Sequence, residues 1–209
     1  MSQHYRAFEN VSKDKVSRDK VSKDKVSRDK VSRDKVSRDR KDLRTKIRYN
    51  YEDVILHITK GINLTEYSFK DKPLVVGGLA LEYYGIRQCG NDFDYMVSPR
   101  DWQILKQKHS ENINLFGGET EEDVDATINL NNNGEKIDLI YTLYQFNYDY
   151  LKEDSIEHSC YRIISLEKLL LLKTLAAVDN NDSKSAADQK LIVDFIVSKQ
   201  YPNLNSIYF

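Results

Sequence analysis

Two acids one residue apart, Asp92 and Asp94, follow a glycine pair, Gly77-Gly78, by fifteen residues. All four lie in the segment PLVVGGLALEYYGIRQCGNDFDYMV, from Pro73 to Val97. Leu74-Val75-Val76 is a short apolar run suited to a buried strand, and the glycines break it. Leu79 to Tyr84 then reads as a short helix before Gly85. Asp92 and Asp94 open a second apolar run, and side chains at i and i+2 of a strand share a face. Two carboxylates pointing the same way repel unless a cation lies between them. Beside a glycine turn of phosphate size, they are what a magnesium–nucleoside triphosphate site needs.

The elements that must position these residues are legible from periodicity. Leu43, Ile47, Tyr51, Val54, Ile55 and Ile58 follow helical spacing, with Gly61 as the expected stop. Pro99 starts a helix expected to reach about His109. Asp125 to Leu130 alternates as a strand, Asn131-Asn132-Asn133-Gly134 is an Asn-Gly type turn, and Glu135 to Leu143 returns as the partner strand. That partner carries Asp138 inside KIDLIY, an acid expected to be paired, metal-bound or exposed. Ser165 is placed to cap a helix from Leu166 to about Val178, and a last helix ends near Ser198. The fold class is α+β (mixed α/β), a small mixed sheet covered by helices.

Charge divides the chain. Residues 1–48 hold 17 Lys and Arg against 8 Asp and Glu, whereas residues 49–209 hold 15 against 25. Six near-identical VS[KR]D[KR] pentapeptides run from Val11 to Arg40, so residues 1–42 read as a low-complexity basic tail, disordered or partly helical. Residues 43–209 form the globular domain. Valine at every fifth position spirals over all faces of a helix and makes no apolar stripe. The tail is either a spacer or a weak polyanion contact through residues 11–40, and without aromatic residues there it cannot stack bases. Cys89 and Cys160 are too few for a disulfide scaffold. No apolar signal segment or membrane span is legible, which gives the expectation of a soluble, cytoplasmic protein with no membrane partner.

The segment from Gly77 to Asp94 resembles the signature of the nucleotidyltransferase superfamily with the DNA polymerase β-like fold. It is most similar to the small stand-alone members, which include toxin and antitoxin-type proteins. The matching residues are Gly77-Gly78, Ala80-Leu81, Gly85, Arg87 and Asp92-Phe93-Asp94, with Asp138 in the place of the third acid. The helix of ISLEKLLLLKTLAA also resembles theirs. The chain departs from many relatives at Gly90, where they carry Thr or Ser, and at Arg87, which stands one position early.

The resemblance implies two Mg²⁺ ions held by Asp92, Asp94 and Asp138, which are also the catalytic residues. It further implies nucleotide binding by Gly77, Gly78, Arg87 and Lys173. The expected activity is transfer of a nucleoside monophosphate from a nucleoside triphosphate to a hydroxyl on a protein or RNA acceptor. Two alternatives stand beside it. One is a catalytically silent member acting as an antitoxin-like binding protein, and the other is a nucleic-acid binder working through the tail.

Overall fold

A computed structural model describes residues 50–116, 125–179 and 182–200. The expectations for the repeat tail and for the helical positions Leu43 and Ile47 lie outside the described residues. The elements in chain order are α1 (Tyr51–Leu64), β1 (Leu74–Val75), α2 (Gly77–Tyr83), β2 (Asp92–Met96), α3 (Pro99–Lys108), β3 (Ile113–Phe116) and β4 (Asp125–Asn132). They continue with β5 (Glu135–Leu143), β6 (Phe146–Asn147), α4 (Tyr148–Lys152), β7 (Ile156–Glu157), β8 (Arg162–Ile163), α5 (Leu166–Asp179) and α6 (Ser183–Gln200). The class is α+β, with one mixed sheet.

The strands run β3-β4-β5-β2-β1-β8-β7, with β6 paired to β5 away from this path. The β2–β5 and β1–β8 pairs are parallel, and the other pairings are antiparallel. The Asn-Gly turn joins β4 to β5 through Asn133 (φ 54°) and Gly134 (φ 84°). That pair of positive φ values suits the twist of a tight hairpin.

Helix starts follow side-chain capping. Asn50 accepts from Glu52 N at 3.2 Å, Ser98 from Asp101 N at 3.2 Å, and Asn147 from Tyr150 N at 2.9 Å. Ser165 meets Lys168 N at 3.4 Å, as expected of the residue ahead of α5. α3 begins at Pro99 and His109 caps its end.

Two helix boundaries differ from the sequence reading. α2 starts at Gly77 rather than Leu79, so both glycines belong to its first turn. α1 runs through Gly61 to Leu64, so Gly61 does not stop it. The reason lies in packing. β2 alternates, presenting Phe93 and Tyr95 to the core and Asp92 and Asp94 to the opposite face. α1 lies on the core face, where Tyr95 Oη donates to Ile58 O at 2.8 Å. A Cβ on residue 61 would stand 2.2 Å from Tyr95 Oη and 2.3 Å from Phe93 Cδ1. Glycine is there because helix and sheet approach too closely for any side chain.

Gly61→Ala should therefore lower stability by about 1–3 kcal/mol through overpacking, despite alanine's better helix propensity. Urea unfolding of the two proteins measures this. An unchanged or raised midpoint would contradict the close approach.

Candidate active site

The parallel pairing of β2 with β5 sets Asp94 directly beside Asp138, in the same rung of the sheet. β5 pairs antiparallel with β4, and Asn129 occupies the next place in that rung. Asp94, Asp138 and Asn129 thus form a polar row across three strands. All three line a cavity of about 630 Å³, together with Gly77 and, from α5, Leu172 and Lys173. Asn129 Nδ2 donates to Asp138 Oδ1 at 2.6 Å.

Burial first, and then the negative charge of Asp138, push the Asp94 carboxyl up to about 6. Two influences act the other way: the positive charge of Lys173 and a hydrogen bond from the backbone N–H of Gly78. The backbone of Gly77 passes against this carboxylate. Its φ of +60° lies in the left-handed region, and a Cβ there would fall 1.9 Å from Asp94 Oδ2. The glycine pair thus lets the turn pass against the carboxylate, and the Gly78 N–H is directed at it.

The remaining expected residues lie around this centre. Asp92 is exposed, paired in register with Lys136, and does not line the cavity. Arg87 also stands outside the lining, where its guanidinium grips Asp188 of α6 through Nε–Oδ1 at 2.6 Å and Nη2–Oδ2 at 2.8 Å. Lys173 Nζ reaches the same carboxylate at 3.0 Å. Asp188 is buried at 2 % exposure. Its burial alone would push the carboxyl up, but hydrogen bonds and charge from Arg87 and Lys173 outweigh it and hold the group below the usual carboxylate range. Cys89 Sγ donates to Asp92 O at 3.3 Å. Burial and the neighbouring Asp94 push this thiol up to about 12, which disfavours the thiolate.

Among the described residues no three His, Cys, Asp or Glu side chains form a cluster that would cage a metal. The pair Asp94 and Asp138 still suits magnesium. That ion takes hard oxygen ligands and is held by one or two carboxylates plus substrate phosphates rather than by an all-protein cage.

No protein-family model matches the chain, and no curated protein sequence is significantly similar to it. Among solved structures it is similar to the antibiotic-resistance factor ANT(2'')-Ia, an aminoglycoside nucleotidyltransferase. The identity is 14%, the match covers 75% of this chain and 89% of that one, and the TM-score is 0.42. This is a likeness of outline, and the chemistry below stands on this chain's own residues. Among the described residues no helix is long and apolar enough to cross a membrane.

Sequence reasoning missed Asn129, Thr127, Tyr144 and Asp188. Asn129 alternates in step with Thr127 on β4, which was a usable signal once the hairpin register was known. Asp188 sits in a polar helix start with nothing local to mark it. Tyr144 lines the cavity as well. It is held at φ 52° in the tight turn after β5, where Asp125 accepts from Tyr144 N at 2.5 Å and Gln145 N at 2.9 Å.

Two outcomes follow from these electrostatics. The folded state holds the Asp94 proton more tightly than the unfolded chain does. This group's contribution to stability is therefore best below the ordinary carboxylate range, and it declines as pH rises through about 6. Asp94→Asn should stabilise the metal-free protein by about 1–3 kcal/mol at pH 7.5, with the gain shrinking towards pH 5. Thermal melts across that range check it, and a destabilised variant at pH 7.5 would contradict it. Conversely, Asp188→Asn should cost about 2–4 kcal/mol at pH 7.5, because it removes the buried negative charge that Arg87 and Lys173 share. Chemical denaturation reads this directly.

Proposed function

We propose that this chain is a magnesium-dependent nucleotidyltransferase, moving a nucleoside monophosphate from a triphosphate to a hydroxyl on a protein or RNA acceptor. One observation carries the reading: Asp94 and Asp138 share a rung and a cavity, beneath a left-handed glycine turn. Asp94 and Asp138 would hold the cation, with Asp92 at the strand's exposed end adding a third carboxylate. The bound ion supplies charge neutralisation for the entering and leaving oxygens of an in-line displacement.

The chain's own groups divide the remaining work. On this reading Asp138, hydrogen-bonded by Asn129, takes the proton of the attacking hydroxyl. The new bond joins that oxygen to the α-phosphorus while the α–β bridging bond breaks, and pyrophosphate leaves with the electron pair. Lys173 faces the cavity with its ammonium held by Asp188, where it offsets phosphate charge. Gly77 admits close approach by carrying no side chain. The N–H of Gly78 is directed to Asp94, so its part is to fix that carboxylate. Arg87 contributes by sharing Asp188 with Lys173, and thereby sets where the lysine stands.

A second reading, nucleotide binding without turnover in an antitoxin-like protein, is favoured by the exposed position of Asp92 outside the cavity lining.

The test is labelling with each of the four α-phosphate-tagged nucleoside triphosphates, in the presence of Mg²⁺, total RNA and cell protein. Asp138→Asn should reduce label transfer by about 10²–10⁴-fold while leaving the melting profile folded. Undiminished transfer in both Asp94→Asn and Asp138→Asn would remove the proposal. Calorimetric binding with no pyrophosphate released would favour the second reading.

A further inference from the structure

The last helix, α6, carries apolar side chains on two opposite faces. Its inner face buries Ser185, Asp188 and Ile192. At 3.6 residues per turn, Ala187, Lys190, Asp194 and Val197 fall about half a turn away from that face, along one outward stripe. All four are exposed. Leu191 and Val193 border the stripe on its two sides. With Val197 they make three aliphatic side chains, 39 %, 41 % and 36 % exposed, that no part of the described residues covers. An outward helix face is ordinarily polar, and aliphatic residues grouped there mark a contact surface.

We infer that the outer face of α6 is the contact surface for a second copy of this chain, the two α6 helices packing antiparallel about a two-fold axis level with Ile192. The charges in the stripe choose this occupant. Lys190 and Asp194 stand at equal distances either side of Ile192, so the two-fold brings Lys190 of each copy against Asp194 of the other. Ala187 then meets Val197, a small residue opposite a larger one, and Leu191 and Val193 close the two flanks. A parallel pair would instead set lysine on lysine and aspartate on aspartate, and helix dipoles also favour the antiparallel arrangement. The stripe has the three-four-three spacing of a helix–helix seam, where a polar pair fixes register and orientation. None of these residues lines the cavity, and Asp188, which holds Arg87 and Lys173, belongs to the inner face. The inference is therefore independent of the phosphoryl-transfer reading. One helix face per copy is a small interface, so the dimer should be reversible, with Kd on the order of micromolar.

Sedimentation equilibrium of the full chain, over concentrations about tenfold either side of that Kd, should show monomer–dimer exchange. Lys190→Glu alone and Asp194→Lys alone should each weaken the dimer by roughly tenfold or more, because each sets like charges across the axis twice. Mixing the two single variants should restore association as a heterodimer, since each position that was reversed then faces its opposite charge. The double variant Lys190→Glu/Asp194→Lys should dimerise as the parent does, a rescue that misfolding could not produce. A chain that stays monomeric throughout overturns the inference. A dimer indifferent to both single reversals places the contact elsewhere and overturns it too. Failure of the mixed variants and of the double variant to associate does the same.

Discussion

Two carboxylates held side by side on neighbouring parallel strands repel one another, and most of the surrounding structure is arranged around that repulsion. Strand register leaves Asp94 and Asp138 no freedom to separate, since moving either by one residue would turn it into the core. The energy shows in the Asp94 carboxyl, which burial and its neighbour push to about 6. Three groups ease the strain from three directions: the Gly78 N–H at the turn, the Asn129 amide on the far strand, and the Lys173 ammonium from α5. Under the proposed function a cation would relieve the pair, because a divalent ion turns the repulsion into attraction.

The lysine is itself under constraint. Asp188 on α6 takes both Arg87 and Lys173, so one buried carboxylate joins the α2–β2 connection, α5 and α6. An ammonium tethered this way loses less entropy on meeting phosphate than a freely rotating one. The same tether means that Lys173 carries a partner's negative charge with it, which tempers how strongly it attracts an anion. Opposite faces of β2 show a parallel division of labour. Phe93 and Tyr95 anchor α1 so closely that Gly61 must lack a side chain, while Asp92 and Asp94 look the other way.

Much of this was legible in the chain. β5 was read to its observed ends, and β2, α3, α5 and the β4–β5 hairpin were legible because period-2 and period-3.6 patterns are local and their punctuation is unambiguous: Pro99, Ser165, Asn133-Gly134. β3, β6, β7 and β8 were not. They are two to four residues long and exist because a neighbouring strand offers hydrogen bonds, a condition no short window of sequence contains. Gly61 was misread for the same reason. A glycine in a helical pattern signals a stop as readily as a close approach, and only the position of Phe93 and Tyr95 tells them apart.

What the amino-acid order determined by itself was the supply of parts: a glycine turn, an Asp-x-Asp strand start, an acid on a later strand, and a lysine in an apolar helix. Alternation along β2 also fixed that Asp92 and Asp94 share a face, because that follows from the pleat alone. Which acids meet was decided by tertiary structure. Parallel pairing of β2 with β5 chose Asp138 as the partner of Asp94, and set Asn129 beside it. Folding of α6 against α5 gave Arg87 and Lys173 their shared counter-ion in Asp188. Charges interact through space over a few ångströms, and residues 101 positions apart in the chain reach that distance only when the fold closes.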